Sequence, residues 1–112
     1  KPKIYKANHI LSDTVKFTNI SGDLPEGLPV NSIAVDPEVP DRILFAATDF
    51  GLYHTDNSGN NWTKFTEIPN VPIMQIRLRE SDRTLFVFTH GRGIWVMKLK
   101  ENLDLRDYLL NI

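Results

Sequence analysis

Three blocks of this chain recur in the same order. Leu28-Pro29-Val30-Asn31-Ser32-Ile33-Ala34-Val35 aligns with Val71-Pro72-Ile73-Met74-Gln75-Ile76-Arg77-Leu78. Asp41-Arg42-Ile43-Leu44-Phe45-Ala46-Ala47-Thr48 aligns with Asp82-Arg83-Thr84-Leu85-Phe86-Val87-Phe88-Thr89, and Gly51-Leu52-Tyr53 with Gly93-Ile94-Trp95. The offsets are 43, 41 and 42 residues, so the slips fall between the blocks rather than inside them. A repeat of about 40–45 residues built from short strands cannot bury both its faces alone and has to stack on neighbours.

Each block reads as a strand. Ile33 with Val35, and Ile76 with Leu78, alternate with polar residues, whereas 42–48 and 83–89 are apolar on both faces. Pro37, Pro40, Pro69 and Pro72, with Gly51, Gly59, Gly91 and Gly93, punctuate the runs. A third, degraded copy precedes the two: Ile4-Tyr5-Lys6 resembles Leu52-Tyr53-His54, and Phe17-Thr18-Asn19-Ile20 resembles Trp62-Thr63-Lys64-Phe65. The strands expected are therefore two (near 3–7 and 15–20), four (near 30–35, 42–48, 51–55 and 61–66) and three (near 72–78, 83–89 and 93–98). In the tail, Leu105, Tyr108, Leu109 and Ile112 fall at helical spacing and predict a short helix over 103–111, with a fourth outer strand as the alternative.

Composition excludes several classes of function. Thirteen basic and fourteen acidic residues give a net charge of −1, leaving no field to attract nucleic acid. There is no cysteine, hence no thiolate nucleophile, disulfide or Cys-based zinc site. No apolar run reaches the length of a membrane helix. His9, His54 and His90 lack the spacing of a metal site, and no cofactor motif is visible.

Two motifs carry possible chemistry. The first is the turn within Gly51-Leu52-Tyr53-His54-Thr55-Asp56-Asn57-Ser58-Gly59-Asn60-Asn61-Trp62. It resembles the Asp-box, Ser/Thr-x-Asp-x-Gly-x-Thr-Trp, with Thr55, Gly59 and Trp62 matching, Asn57 in the Asp position and Asn61 in the Thr position. Asn can accept the same backbone hydrogen bonds, Gly59 supplies positive φ, and Trp62 anchors the turn. Over residues 17–98 the chain is similar to the BNR/Asp-box β-propeller family, and the wording around Val35-Asp36-Pro37 and Ile43 to Tyr53 resembles its sortilin-like and xyloglucanase-like branches. In that family the box is a structural turn on the outer rim, not a catalytic motif. The second motif is Thr89-His90-Gly91-Arg92-Gly93. His90 and Arg92 are the candidate ligand-binding residues, as an acid–base group and an anion-binding cation. The alternative is a tight glycine bend in which both hydrogen-bond to neighbouring carbonyls. The resemblance also places this motif near the last blade of such a ring.

No catalytic set is complete. Asp36, Asp41, Asp49, Asp56, Glu80 and Asp82 are available for glycoside hydrolysis, but Asp36 and Asp41 read as turn formers. Arg77, Arg79, Arg83 and Arg92 do not fall into a sialidase-like arginine cluster. Tyr53 and Trp95 hold equivalent positions and read as packing, and Asn19 and Asn61 head formal glycosylation sequons.

The expectation is an all-β arc of about two and a quarter blades: 1–27 ending one blade, 28–70 a full blade with the box, 71–98 three strands of the next, and 99–112 a tail. The resemblance implies a structural and interaction role in a secreted, periplasmic or cell-surface propeller that binds protein or glycan. The competing expectation is a part of a sialidase- or xyloglucanase-like hydrolase whose carboxylates lie largely elsewhere. The partners would be the remaining blades of a longer parent, from which this arc would be excised, or further copies of the chain in a head-to-tail ring.

Overall fold

The computed structural model describes residues 4–8, 16–38, 42–99 and 109–111. They form an all-β fold of ten strands and no helix: β1 (Tyr5–Asn8), β2 (Lys16–Asn19), β3 (Val30–Val35), β4 (Leu44–Thr48), β5 (Gly51–Thr55), β6 (Thr63–Lys64), β7 (Ile73–Arg79), β8 (Thr84–Thr89), β9 (Ile94–Lys98) and β10 (Leu109–Asn111). They make three antiparallel sheets of two, four and four strands, in the orders β1-β2, β3-β4-β5-β6 and β7-β8-β9-β10.

The register repeats as the sequence does. Val30 pairs Thr48, a bulge follows, and Ser32 pairs Ala47; in the last sheet Ile73 pairs Thr89, a bulge follows, and Gln75 pairs Phe88. The Asp49 amide donates to the Pro29 carbonyl just as the His90 amide donates to that of Pro72. The degraded copy obeys the same rule. Phe65 N donates to Leu52 O at 2.9 Å and Ile20 N to Ile4 O at 2.7 Å, so β1–β2 corresponds to β5–β6.

Alternation builds two cores. Residues opposite each other in an antiparallel pair share a face. Phe45, Ala47, Leu52 and Phe65 leave the middle sheet on one side and meet Ile76, Leu85, Val87 and Met97 of the last sheet. Leu44, Ala46 and Trp62 leave on the other side and meet Ile4, Leu24 and Leu28. All five residues of β4 are buried, as a strand packed on both faces requires. Phe45, with no exposed surface, contributes about 1.5–3 kcal/mol by burial alone.

The structure corrects the tail. Leu109, Leu110 and Asn111 are not helical; they pair with Met97, Val96 and Trp95 as the fourth strand of the last sheet. The remainder of the expected helix, 103–108, lies outside the described residues. The i, i+3, i+4 spacing lost because the outer edge of β9 presents a row of unpaired N–H and C=O groups. A few apolar residues satisfy that edge as readily as they form an isolated turn of helix, whose nucleation is costly.

His54 on β5 packs its ring on Phe65, with centroids 4.6 Å apart at 42°. Burial pushes the His54 pKa below its ordinary value, against a smaller upward pull from Asp56. The unfolded chain, titrating near 6.5, therefore takes up a proton before the folded one does. Stability is full above pH of about 6.5 and falls as the pH drops from there through the lower folded pKa. Denaturant midpoints measured from pH 7.5 to 5 should show this decline, and His54→Gln should flatten it.

Candidate functional site

The sheets present two ends with different chemistry. One carries the starts of β3 and β7 and the β4–β5 and β8–β9 connections. Thr48 Oγ1 donates to Gly51 O at 2.7 Å, and Thr89 Oγ1 to Gly93 O at 2.6 Å, closing equivalent connections. Asn31 Nδ2 donates to Asp49 Oδ1 at 2.9 Å and to Ile73 O at 3.0 Å, tying the two sheets together here. In the second connection Gly91 and Gly93 adopt φ of 78° and 80°, a conformation that favours glycine. His90 and Arg92 alternate with these glycines and stand exposed.

Neither the His90 nor the Arg92 side chain has a hydrogen-bond or ionic partner among the described residues. The glycine bend is therefore present, but the carbonyl bonds expected of its two side chains are not. Phe50 and Met74, each 56% exposed, belong to the same end. Phe50 lies outside the residues that the sequence singles out. The signal available was a large aromatic between an aspartate and a glycine, where packing gives no reason for one.

The opposite end carries the box. Thr55, 1% exposed, is its hub. Its hydroxyl donates to Asn57 Oδ1 at 2.8 Å and accepts from the amides of Gly59 at 3.0 Å and Asn57 at 3.3 Å. Asn57 Oδ1 also accepts from the Asn61 amide, while Asn57 Nδ2 donates to Asn61 Oδ1 at 3.0 Å. This last bond accounts for two departures from the motif together: an amide at 57 has a donor that a carboxylate lacks, and an amide at 61 receives it. Gly59 has φ of 86°.

The box also docks on the segment before β3. Trp62 Nε1 donates to Ile20 O at 3.0 Å, its amide to Asp23 Oδ1 at 2.6 Å, and Asn61 Nδ2 to Asp23 Oδ2 at 3.4 Å. Ile4 N donates to Ser21 Oγ at 2.8 Å in the same segment. Ser21 and Asp23 were not singled out in the sequence; only the turn chemistry of Ser21-Gly22-Asp23 hinted at them. Of the two sequon residues, Asn19 accepts from the Ser21 amide and Asn61 is held between Asn57 and Asp23.

The same end holds a buried ion pair between the two four-stranded sheets. Asp36, with no exposed surface, receives a bidentate pair from Arg83 at 2.8 and 2.9 Å and the Glu38 amide at 3.0 Å. Burial pushes the Asp36 carboxyl up, but the hydrogen bonds from Arg83 and Glu38 and the charge of Arg83 outweigh it and hold its pKa below the usual value. Asp36 is thus the turn former expected and, beyond that, an inter-sheet tie. Beside it lies a cleft of about 560 Å³ whose charged lining includes Glu38, Glu80, Asp82, Arg83 and Lys98. Arg83 also reaches Glu38 at 3.2 Å, and Asp82 is paired with Arg79 at 2.7 Å.

Other candidates are accounted for by packing. Tyr53 lies against the core of Leu44, Ala46 and Ile4, and Trp95 against that of Phe45 and Leu85, as equivalent positions should. Asp41 and His9 lie outside the described residues. Among the described residues no three His, Asp or Glu side chains gather as a metal site. No helix there is long and apolar enough to cross a membrane, which says nothing of membrane β-barrels. No protein-family model, no curated protein and no solved structure matches this chain.

Proposed function

We propose that this chain is a non-catalytic structural and interaction portion of a secreted or cell-surface BNR/Asp-box β-propeller. Its sheets act as blades, and its ligand is a protein or glycan met at the end bearing Phe50, Met74, His90 and Arg92. The observation that carries the blade reading is the identical register of β3–β4 and β7–β8, bulge included, in two sheets stacked face to face. The box supports it by serving as a docking turn, with its polar atoms spent on the preceding segment.

The ligand reading rests on exposure. An aromatic and a thioether offer apolar contact, and Arg92 offers a cation for a carboxylate or sulfate. Of the carboxylates that a hydrolase could draw from this chain, Asp36, Asp49 and Asp82 are engaged by Arg83, Asn31 and Arg79. Titrating ¹⁵N-labelled protein with sialyllactose, an acidic glycan, should shift the amides of 90–93 and 50. Arg92→Ala should weaken that binding about tenfold, the loss of one charge-assisted contact. Equal shifts with a neutral xyloglucan oligosaccharide would remove Arg92 from the reading. Release of sugar from either compound would return the chain to the hydrolases.

A further inference from the structure

We propose that the connection 89–93 is an oxyanion cradle. The main-chain amides of Gly91, Arg92 and Gly93, with the His90 and Arg92 side chains, take the terminal oxygens of a sulfate or phosphate monoester. The inference rests on the ligand reading above and names the chemical group that this exposed end recognises.

The two β-connections at this end supply the comparison. They begin alike: the amides of Asp49 and His90 donate to the carbonyls of Pro29 and Pro72, and Thr48 and Thr89 close on Gly51 and Gly93. In the first connection the remaining amides are spent. Phe50 N donates to Thr48 Oγ1 at 3.1 Å and Gly51 N to Val71 O at 3.1 Å. The second connection is one residue longer, and the amides of Gly91, Arg92 and Gly93 reach no acceptor among the described residues. Its histidine also stands where the first connection has Asp49, so the carboxylate that would repel an anion is gone.

These three amides are consecutive, and φ is positive at Gly91 and Gly93 but not at Arg92 between them. That alternation turns successive N–H groups toward one side, the arrangement by which main chain binds anions. The space is open as well, since a Cβ on Gly91 would meet nothing within 4 Å. The donor count selects the ligand. Three amides, an imidazole N–H and a guanidinium fork exceed what the two oxygens of a carboxylate accept, whereas a monoester of sulfate or phosphate offers three terminal oxygens. Charge-assisted bonds of this kind are the strong ones, and Arg92 supplies the planar donor pair suited to them.

The test titrates the ¹⁵N-labelled chain at fixed ionic strength with inorganic sulfate, inorganic phosphate and galactose 6-sulfate, with acetate and sialyllactose as carboxylate comparators. The amide protons of 91–93 should move downfield and saturate with sulfate or phosphate at least about tenfold more tightly than with acetate. Tighter binding of galactose 6-sulfate than of inorganic sulfate supports the proposal with the ester carried on a sugar; equal binding supports it for the anion alone. Arg92→Ala should keep part of the sulfate response, because the amides remain. Gly91→Ala, which disfavours the φ of 78°, should weaken it at least about tenfold while the β3–β4 and β7–β8 amides stay in place. Amides of 91–93 that do not move, acetate binding as tightly as sulfate, or loss of the whole response in Arg92→Ala would each overturn the cradle. Shifts with sialyllactose but none with sulfate or phosphate would overturn it and leave the ligand reading standing. A sulfate response with no binding of either sugar would uphold the cradle and remove the glycan from that reading.

Discussion

Arg83→Met is expected to remove about 3–5 kcal/mol of stability, a large share of what a domain of this size possesses. The loss comes mainly from the carboxylate left behind, not from the arginine. Asp36 has no exposed surface and keeps its charge because two guanidinium N–H groups and the Glu38 amide reach it. With the cation gone, Asp36 either stays ionised in a low-dielectric site or takes up a proton, and each alternative costs several kcal/mol. The same pair fixes a pH dependence. The folded pKa of Asp36 is depressed, so its contribution is complete above about pH 4, the unfolded carboxyl value, and is lost as the pH falls through the lower folded value. Urea melts of Arg83→Met should shift strongly at pH 7 and less at pH 3. The double variant Asp36→Asn with Arg83→Met should recover much of the loss, because no charge is then stranded. If Arg83→Met melted as the parent does, the pair would be ornamental.

This tie was the least legible part of the fold. Asp36 and Arg83 are 47 residues apart and occupy non-equivalent positions of the two repeats, so no periodicity brings them together. Arg83 also adopts φ of 54°, unusual for a residue with a side chain, and nothing in Asp82-Arg83-Thr84 announces it. The strands, by contrast, were readable because burial imposes period two on each of them and the repeat imposes it twice. The tail misled because a handful of apolar residues satisfies a helix face and an edge strand equally well, and only the open edge of β9 decides. At the candidate site, the glycines at 91 and 93 announced the bend. Phe50 did not stand out, since exposure is a property of neighbours and not of local sequence.

Gly59→Ala is expected to do comparable damage by another route. Gly59 combines a φ of 86° with a backbone approach that leaves no room for a methyl group. A Cβ there would run into the Ile20 carbonyl oxygen, and one on Gly22 would run into the Gly59 carbonyl oxygen, so the two glycines face each other across the seam. Neither obstacle is the tip of a flexible side chain. The φ penalty alone is about 1–3 kcal/mol, and relieving the clash means moving the box away from the segment before β3. That motion breaks the bonds from Trp62 to Ile20 and Asp23, and it opens the core formed by Ile4, Leu24 and Trp62. The damage should therefore be local. Hydrogen exchange in Gly59→Ala should rise for residues 4–8 and 16–24, while β7–β9, packed on the other face of the middle sheet, keep their protection. Gly27→Ala is the control: its φ of 75° carries a similar backbone penalty, but a methyl there meets nothing within 4 Å. A Gly27 variant as damaging as the Gly59 one would mean that backbone conformation, and not the close seam between box and preceding segment, sets the requirement for glycine.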